Sequence, residues 1–365
     1  MTDSPEDAGE PPAVDFTLER AHPHRRFHID AGGDASGDPV AVEAGAIAAE
    51  SDGYDGALAT ETQHDPFVGL TLAARRTERI RLGSAIAVAF ARNPMTVAVT
   101  ANDLATVSHG RFMLGLGSQV RPHIERRFSM TWSQPAKRMA EFVEAVRAIW
   151  HSWASGDRLN FRGEFYQHTL MTPFFDPGPN PNGTPPILIA GVGERMTEVA
   201  GRVADGFLSH SFTTKRYLEE VSIPALQRGR AAAGRDPHML GIGVPAFVVI
   251  GETQAQQDAA ALATKKQIAF YGSTPAYRGV LDLHGWAGLH ERLHPASQRG
   301  EWDAMGAMID DEVLAEFAVT GTPREVAAQL VERFGEIASR VSFNAPYPVE
   351  PGLWWELLAE LDSIG

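Results

Sequence analysis

Apolar positions along the chain fall into two rhythms that alternate: short dense runs, and longer stretches with one apolar face. The short runs predict strands over residues 14–18, 57–60, 80–88, 111–119, 187–190, 206–209, 244–250 and 340–344. The longer stretches predict helices over 39–51, 66–77, 94–108, 135–153, 194–203, 214–233, 253–271 and 323–334. Punctuation supports several boundaries. Asn93 supplies a cap oxygen and Pro94 fits a first helical turn, Asp65-Pro66 repeats that arrangement, and Gly53 follows the end of the first helix.

Strands separated by single helices, without consecutive hairpins, imply parallel pairing through right-handed crossovers. Eight such units predict a (β/α)8 TIM barrel, with a doubly wound open sheet as the rival. Two stretches break the alternation, at about 157–186, where LNFRGEFY resembles a hairpin, and at about 271–311, a helical excursion. Both are expected as insertions at the C-terminal face that shape a substrate pocket, within a single barrel domain over 13–365. Residues 1–12, acidic and Pro-rich, are expected as a disordered tail.

Composition narrows the function. The 365 residues include 44% hydrophobic and 21% charged positions, enough to build a packed core. A net charge of −14 opposes nucleic acid or an anionic membrane as partner. Cysteine is absent, which excludes disulfides, thiolate metal sites and a cysteine nucleophile. No apolar run has the length of a membrane span, and the N-terminus lacks the basic-then-apolar order of a signal peptide, so a cytoplasmic protein is expected.

Barrel chemistry collects where strands end. The second strand runs into Glu61-Thr62-Gln63-His64-Asp65, the third into Ser84-Ala85-Ile86-Ala87, the fourth into Gly117-Ser118-Gln119, and the fifth into Gly191-Val192-Gly193-Glu194-Arg195-Met196. A strand, then Gly-x-Gly, then a helix start presents free backbone N–H groups to an anion. The alternative is a tight turn that needs positive φ. With Met196 where a third glycine would stand, a nicotinamide fingerprint is not met. His290-Glu291-Arg292-Leu293-His294 matches His-Glu-x-x-His formally, but Arg292 and the following Pro295 favour a solvated helix face, and no metal is expected.

Taken together, ETQHDPF, RIRLGSAIAVAFARNPMTVA, GRFMLGLGSQVRPHIERRF, ILIAGVGERMTEVAGRVADGF and QIAFYGSTPAYRGVLDLHGW resemble the bacterial luciferase-like superfamily, and more closely its coenzyme F420-dependent oxidoreductases. The match spans residues from about 40 to 345; the long first βα loop and the acidic tail depart from it. The resemblance implies F420, or alternatively FMN, across the barrel mouth, with its phosphate at Gly191, Val192, Gly193, Glu194, Arg195 and Met196. It implies a ring near Ser84, Ala85, Ala87, Gly117, Ser118 and Gln119, with Ser84-Ala85 as a bulged or cis peptide behind it. By the same resemblance His64 is the first candidate for a proton shuttle and Glu61 the second, while Arg121 and His123 reach substrate. The implied activity is hydride transfer between F420 and a small organic substrate, as reduction of an activated C=C or C=N bond, in a homodimer. An FMN-dependent monooxygenase is the alternative.

Overall fold

The computed structural model describes residues 25–32, 36–237 and 241–364. In chain order its strands are β1 (His28–Gly32), β2 (Gly56–Ala59), β3 (Arg81–Ser84), β4 (Ala87–Val88), β5 (Phe112–Gly117) and β6 (Phe161–Arg162). There follow β7 (Gln167–His168), β8 (Ile187–Gly191), β9 (Gly206–Ser209), β10 (Gly241–Ile250), β11 (Ala318–Gly321) and β12 (Arg340–Asn344). Parallel ladders run β1–β2–β3–β5–β8–β9–β10–β12 and return to β1, which closes the expected (β/α)8 barrel. The short β4 prolongs the line of β3 along β5, and β11 pairs with the last residues of β10. The antiparallel pair β6–β7 is the hairpin expected from LNFRGEFY.

Helices α1 (Pro39–Asp52), α2 (Pro66–Arg76), α3 (Pro94–Val107), α4 (Pro135–Ser155) and α5 (Glu194–Val203) cover the first half. Asp38, Asp65 and Asn93 cap α1, α2 and α3 by accepting from backbone N–H groups of the first turn, each followed by proline, which has no N–H to lose there. The second half carries α6 (Lys215–Tyr217), α7 (Ile223–Ala232), α8 (Gln254–Gly272), α9 (Arg278–Leu283), α10 (Ala287–Gln298), α11 (Trp302–Gly306), α12 (Asp311–Phe317), α13 (Pro323–Phe334) and α14 (Pro351–Ile364). The excursion after residue 271 is thus α9 to α12, packed as a second apolar cluster around Phe212, Phe247, Leu281 and Phe317.

Several expectations change. The first barrel strand is β1, in the polar stretch read as a loop, whereas the expected strand over 14–18 and the tail over 1–12 lie outside the described residues. β1 escapes a hydrophobic reading because Asp30 points into the barrel, where Arg340 of β12 pairs with it, both side chains being almost fully buried. The helix expected over 214–233 is interrupted by a wider π-type turn, Leu218–Ser222. Pro295 lies inside α10 and does not end it. His290 is buried there, not solvated: its Nδ1 donates to the Gly272 carbonyl (2.8 Å) and that of His294 to Ser273 (2.9 Å), which ties α10 to the end of α8. Among the described residues no cluster of three His, Asp or Glu side chains could hold a metal, and no helix is long and apolar enough to cross a membrane.

Candidate active site

The expected third strand is two pieces. Gly83 pairs with Met113 and Ala87 with Leu116, so four steps on one strand face three on the other, and residues 84–86 bulge. A cis peptide joins Ala85 to Ile86, one bond later than the Ser84-Ala85 position the resemblance implied. Ser84 repairs the interrupted ladder: its hydroxyl donates to the Gly115 carbonyl (2.8 Å) and accepts from the Gly115 N–H (3.0 Å). Gly115 has to be glycine, since a Cβ would sit 1.8 Å from the Ser84 carbonyl oxygen.

Glu61, just past β2, holds the far side of the bulge. Its N–H donates to the Ile86 carbonyl (3.3 Å), and its carboxylate accepts from the Val88 N–H (2.7 Å) and from Arg92 Nη1. Arg92 reaches on to Asp65 (2.8 Å) and lies over the Phe67 ring. Both oxygens of Glu61 are therefore engaged, and the acid points at the neighbouring strand. His64 differs: it is exposed, and its ring has no hydrogen-bond partner among the described residues. Asp65 caps α2 through the Phe67 N–H.

After β5, Ser118 donates to the Gln119 carbonyl, and Gln119 takes a positive φ of 58° with its side-chain oxygen accepting from the Val120 N–H. Arg121 pairs with Glu125 one turn on, and His123 is exposed at the start of a π-type turn, His123–Arg127. Arg127 closes that turn against the Thr62 carbonyl, so the loops after β5 and β2 touch. Gly117 is covered by Ile86, and Ala87 is buried.

The turn before α5 settles one question physically. Gly193 has φ −77° and ψ 144°, a conformation open to any residue, and Gly191 is not among the positive-φ glycines. A tight turn needing positive φ is therefore not what the glycines serve. A Cβ on Gly191 would press on Met196 at 3.0 Å, but one on Gly193 would meet nothing within 4 Å. No side chain caps α5, and Glu194 leans away to Arg228 on α7, leaving Arg195 exposed beside bare N–H groups. The start of α5 thus presents backbone donors and the positive end of the helix dipole with no side chain over them, the chemistry that suits an anion.

One residue the sequence reading missed faces the same opening. Alternation along β9 puts Leu208 inside the barrel, where it reaches positions of Gly243 on β10 and of Gly115, two strands away on β5. His210, two residues later, continues that inward line at the C-terminal rim. Burial pushes its pKa down to about 4. The signal available was a polar residue directly after an apolar strand, the same signal that singled out Glu61.

The luciferase-like monooxygenase family matches residues 25–339. The chain belongs to this family. An uncharacterized protein of Mycobacterium tuberculosis is 55% identical over 296 residues, 81% of this chain and 87% of that protein. The 5,10-methylenetetrahydromethanopterin reductase of Archaeoglobus fulgidus is 27% identical over 299 residues, 80% of this chain and 83% of that one. Among solved structures, the coenzyme F420-dependent tetrahydromethanopterin reductase of Methanopyrus kandleri superposes with a TM-score of 0.71 at 20% identity, covering 93% of this chain and 97% of that chain. Family membership makes the barrel an enzyme, an oxidoreductase or monooxygenase, and the M. kandleri structure shares its fold.

Proposed function

We propose that the chain is an F420-dependent oxidoreductase that transfers a hydride between the coenzyme and a small organic substrate, in the sense of reducing an activated C=C or C=N bond. The observation that carries this reading is Gly193: neither its backbone angles nor its surroundings ask for glycine, and what the missing side chain leaves is open access to the N-terminus of α5. The family match and relatives named for F420 or methanopterin reduction support the same cofactor class.

Gly191, Val192, Gly193, Glu194 and Arg195 would hold the coenzyme phosphate through backbone N–H groups and the Arg195 charge, with Met196 packed beneath Gly191. Ala85, Ser118 and Gln119 would line the ring, on a bulge that Ser84 and Glu61 hold in shape, whereas Ala87, fully buried, and Gly117, beneath Ile86, lie behind that surface and do not reach it. When bound, the reduced deazaflavin supplies hydride from C5 of its ring. His64, unpartnered and exposed, carries a proton between solvent and substrate. Glu61, with both oxygens engaged, acts as a positioning carboxylate, which refines its initial candidacy as a second shuttle. Arg121 and His123 extend the substrate side of the opening. Exposed apolar side chains on adjacent helices, Val40 and Ile47 of α1 with Val68 and Leu72 of α2, support a homodimer.

The deciding experiment titrates the purified protein with F420 and with FMN, following cofactor fluorescence, and then measures single-turnover oxidation of bound F420H2 by cyclohex-2-enone, whose C=C bond takes up the hydride and a proton, in wild type and His64→Ala. Binding of F420 and a rate loss of about 10²-fold or more in His64→Ala are expected. Tight FMN binding with no F420 binding would instead favour the second reading, an FMN-dependent monooxygenase, which the family's description supports.

A further inference from the structure

Around the closed barrel β9 stands four strands from β2 in either direction, so His210 faces the Glu61–His64 loop across the opening. Its Nδ1 accepts the Phe212 N–H at 3.0 Å, which leaves the ring proton on Nε2. Nε2 has no partner among the described residues, yet it is not among the enclosed unsatisfied atoms, so it opens to solvent at the mouth. Two tyrosines flank the ring, Tyr271 of the last turn of α8 edge-on at 4.6 Å and Tyr277 of the segment that follows α8 tilted at 4.7 Å.

We propose that His210 is a substrate-binding residue whose Nε2–H donates to the oxygen of an uncharged carbonyl or hydroxyl compound, with Tyr271 and Tyr277 forming the wall against the compound's carbon skeleton. The inference rests on the oxidoreductase reading and adds a substrate class to it. The charge balance around the ring favours a neutral ligand. Arg278, the basic residue beside Tyr277, is engaged by Asp282 and Glu291, and burial lowers the pKa of nearby His284, which bonds Thr214 and stacks on Trp286. A carboxylate or phosphate placed against His210 would meet a dipole where it needs a counter-charge. A neutral imidazole with a fixed tautomer suits an oxygen that gains negative character during reduction, because the donor is already aimed and need not lose a proton.

The test uses full-length protein labelled with ¹⁵N-histidine, with His210→Asn to assign the resonance, and cyclohex-2-enone as probe. Asn retains an acceptor for the Phe212 N–H and withdraws the outer donor; His210→Phe is the second variant, should Asn disturb folding. The expected result has three parts. His210 shows the Nε2–H tautomer at pH 7; enone shifts Nε2 more than Nδ1; and enone affinity falls about tenfold in the variants while F420 affinity stays within about twofold. An Nδ1–H tautomer, unchanged enone affinity in both variants, or an equal response to inorganic phosphate overturns the proposal. Absence of F420 binding by the wild type would overturn the oxidoreductase reading alone, since the tautomer and enone measurements need no cofactor.

Discussion

The carboxylate of Glu61 and the guanidinium of Arg92 meet at 2.7 Å where the loop after β2 touches the segment after β4. Their side chains are only 7% and 14% exposed, so the pair sits in a medium of lower effective dielectric than water, and Glu61 also receives the Val88 N–H. The bulge of residues 84–86 is thereby held from both flanks, by Ser84 on the β5 side and by Glu61 on the β2 side. Removing one partner of a buried pair strands the other. Arg92→Met is expected to cost about 2–4 kcal/mol in urea unfolding and to weaken F420 binding, whereas Glu61→Gln, which can still accept the Val88 N–H, should cost less. Equal losses in the two variants would show that the charge of Glu61, not its hydrogen bond to the bulge, is what matters.

Gly193 separates binding from folding more cleanly. Its angles suit alanine and a Cβ there meets nothing within 4 Å, so Gly193→Ala should change unfolding free energy by less than about 1 kcal/mol. If the coenzyme phosphate approaches α5 through the space beside Gly193, the added methyl meets it there, and F420 affinity should fall by about tenfold or more. Isothermal titration beside a urea melt reads both. A variant that binds as tightly as wild type would remove the anion cradle from consideration.

How much of this could be read before folding depended on where the physics was local. Caps are local: Asp65-Pro66 and Asn93-Pro94 marked helix starts that α2 and α3 adopt. Alternation is local too, and 206–209 and 340–344 were placed to the residue. What failed was set by distant partners. β1 hides its strand character because Asp30 depends on Arg340, 310 positions away, to be buried at all. β11 was overlooked as a short strand between two helices, and it exists because β10 overruns the barrel and offers an edge. The division of hydrogen bonds within ETQHD was likewise not local: only the bulge after β3 and Arg92 distinguish the engaged Glu61 from the exposed His64.

Gly115 makes a steric prediction. Its backbone is clasped by the Ser84 hydroxyl, and a Cβ would lie 1.8 Å from the Ser84 carbonyl oxygen and 3.0 Å from its carbon. Neither atom can yield without moving the bulge, since both are backbone. Gly115→Ala is expected to destabilise by about 3 kcal/mol or more, a large effect for one methyl group. Ser84→Ala leaves space but abandons the Gly115 N–H and C=O, and about 1–3 kcal/mol is expected for those buried groups. Thermal denaturation ranks the two, and Gly115→Ala should lie lower.

Acid sensitivity follows from His210. Burial holds its pKa at about 4 in the folded protein, against about 6.5 for an exposed imidazole. Between those values the unfolded chain binds the proton and the folded chain does not, so stability rises with pH across that window and is flat above it. The two tyrosines against the ring stay neutral there, burial raising both. The contribution lost on acidification to pH 4 is of order 3 kcal/mol. Other groups bend the curve: burial raises the carboxyls of Asp103 and Glu144, which gives the opposite slope. At Asp55, burial alone would raise the pKa, but hydrogen bonds from His28 and the Ile29 N–H and the nearby charges outweigh it, so its loss falls at lower pH. Subtracting the profile of His210→Asn from that of wild type cancels these shared terms. Urea midpoints at half-unit steps from pH 4.5 to 7.5 should leave a difference that grows toward acid, with the wild type losing stability faster. Parallel profiles would mean that the imidazole titrates as freely in the fold as out of it, and desolvation of His210 by its aromatic neighbours would then be wrong.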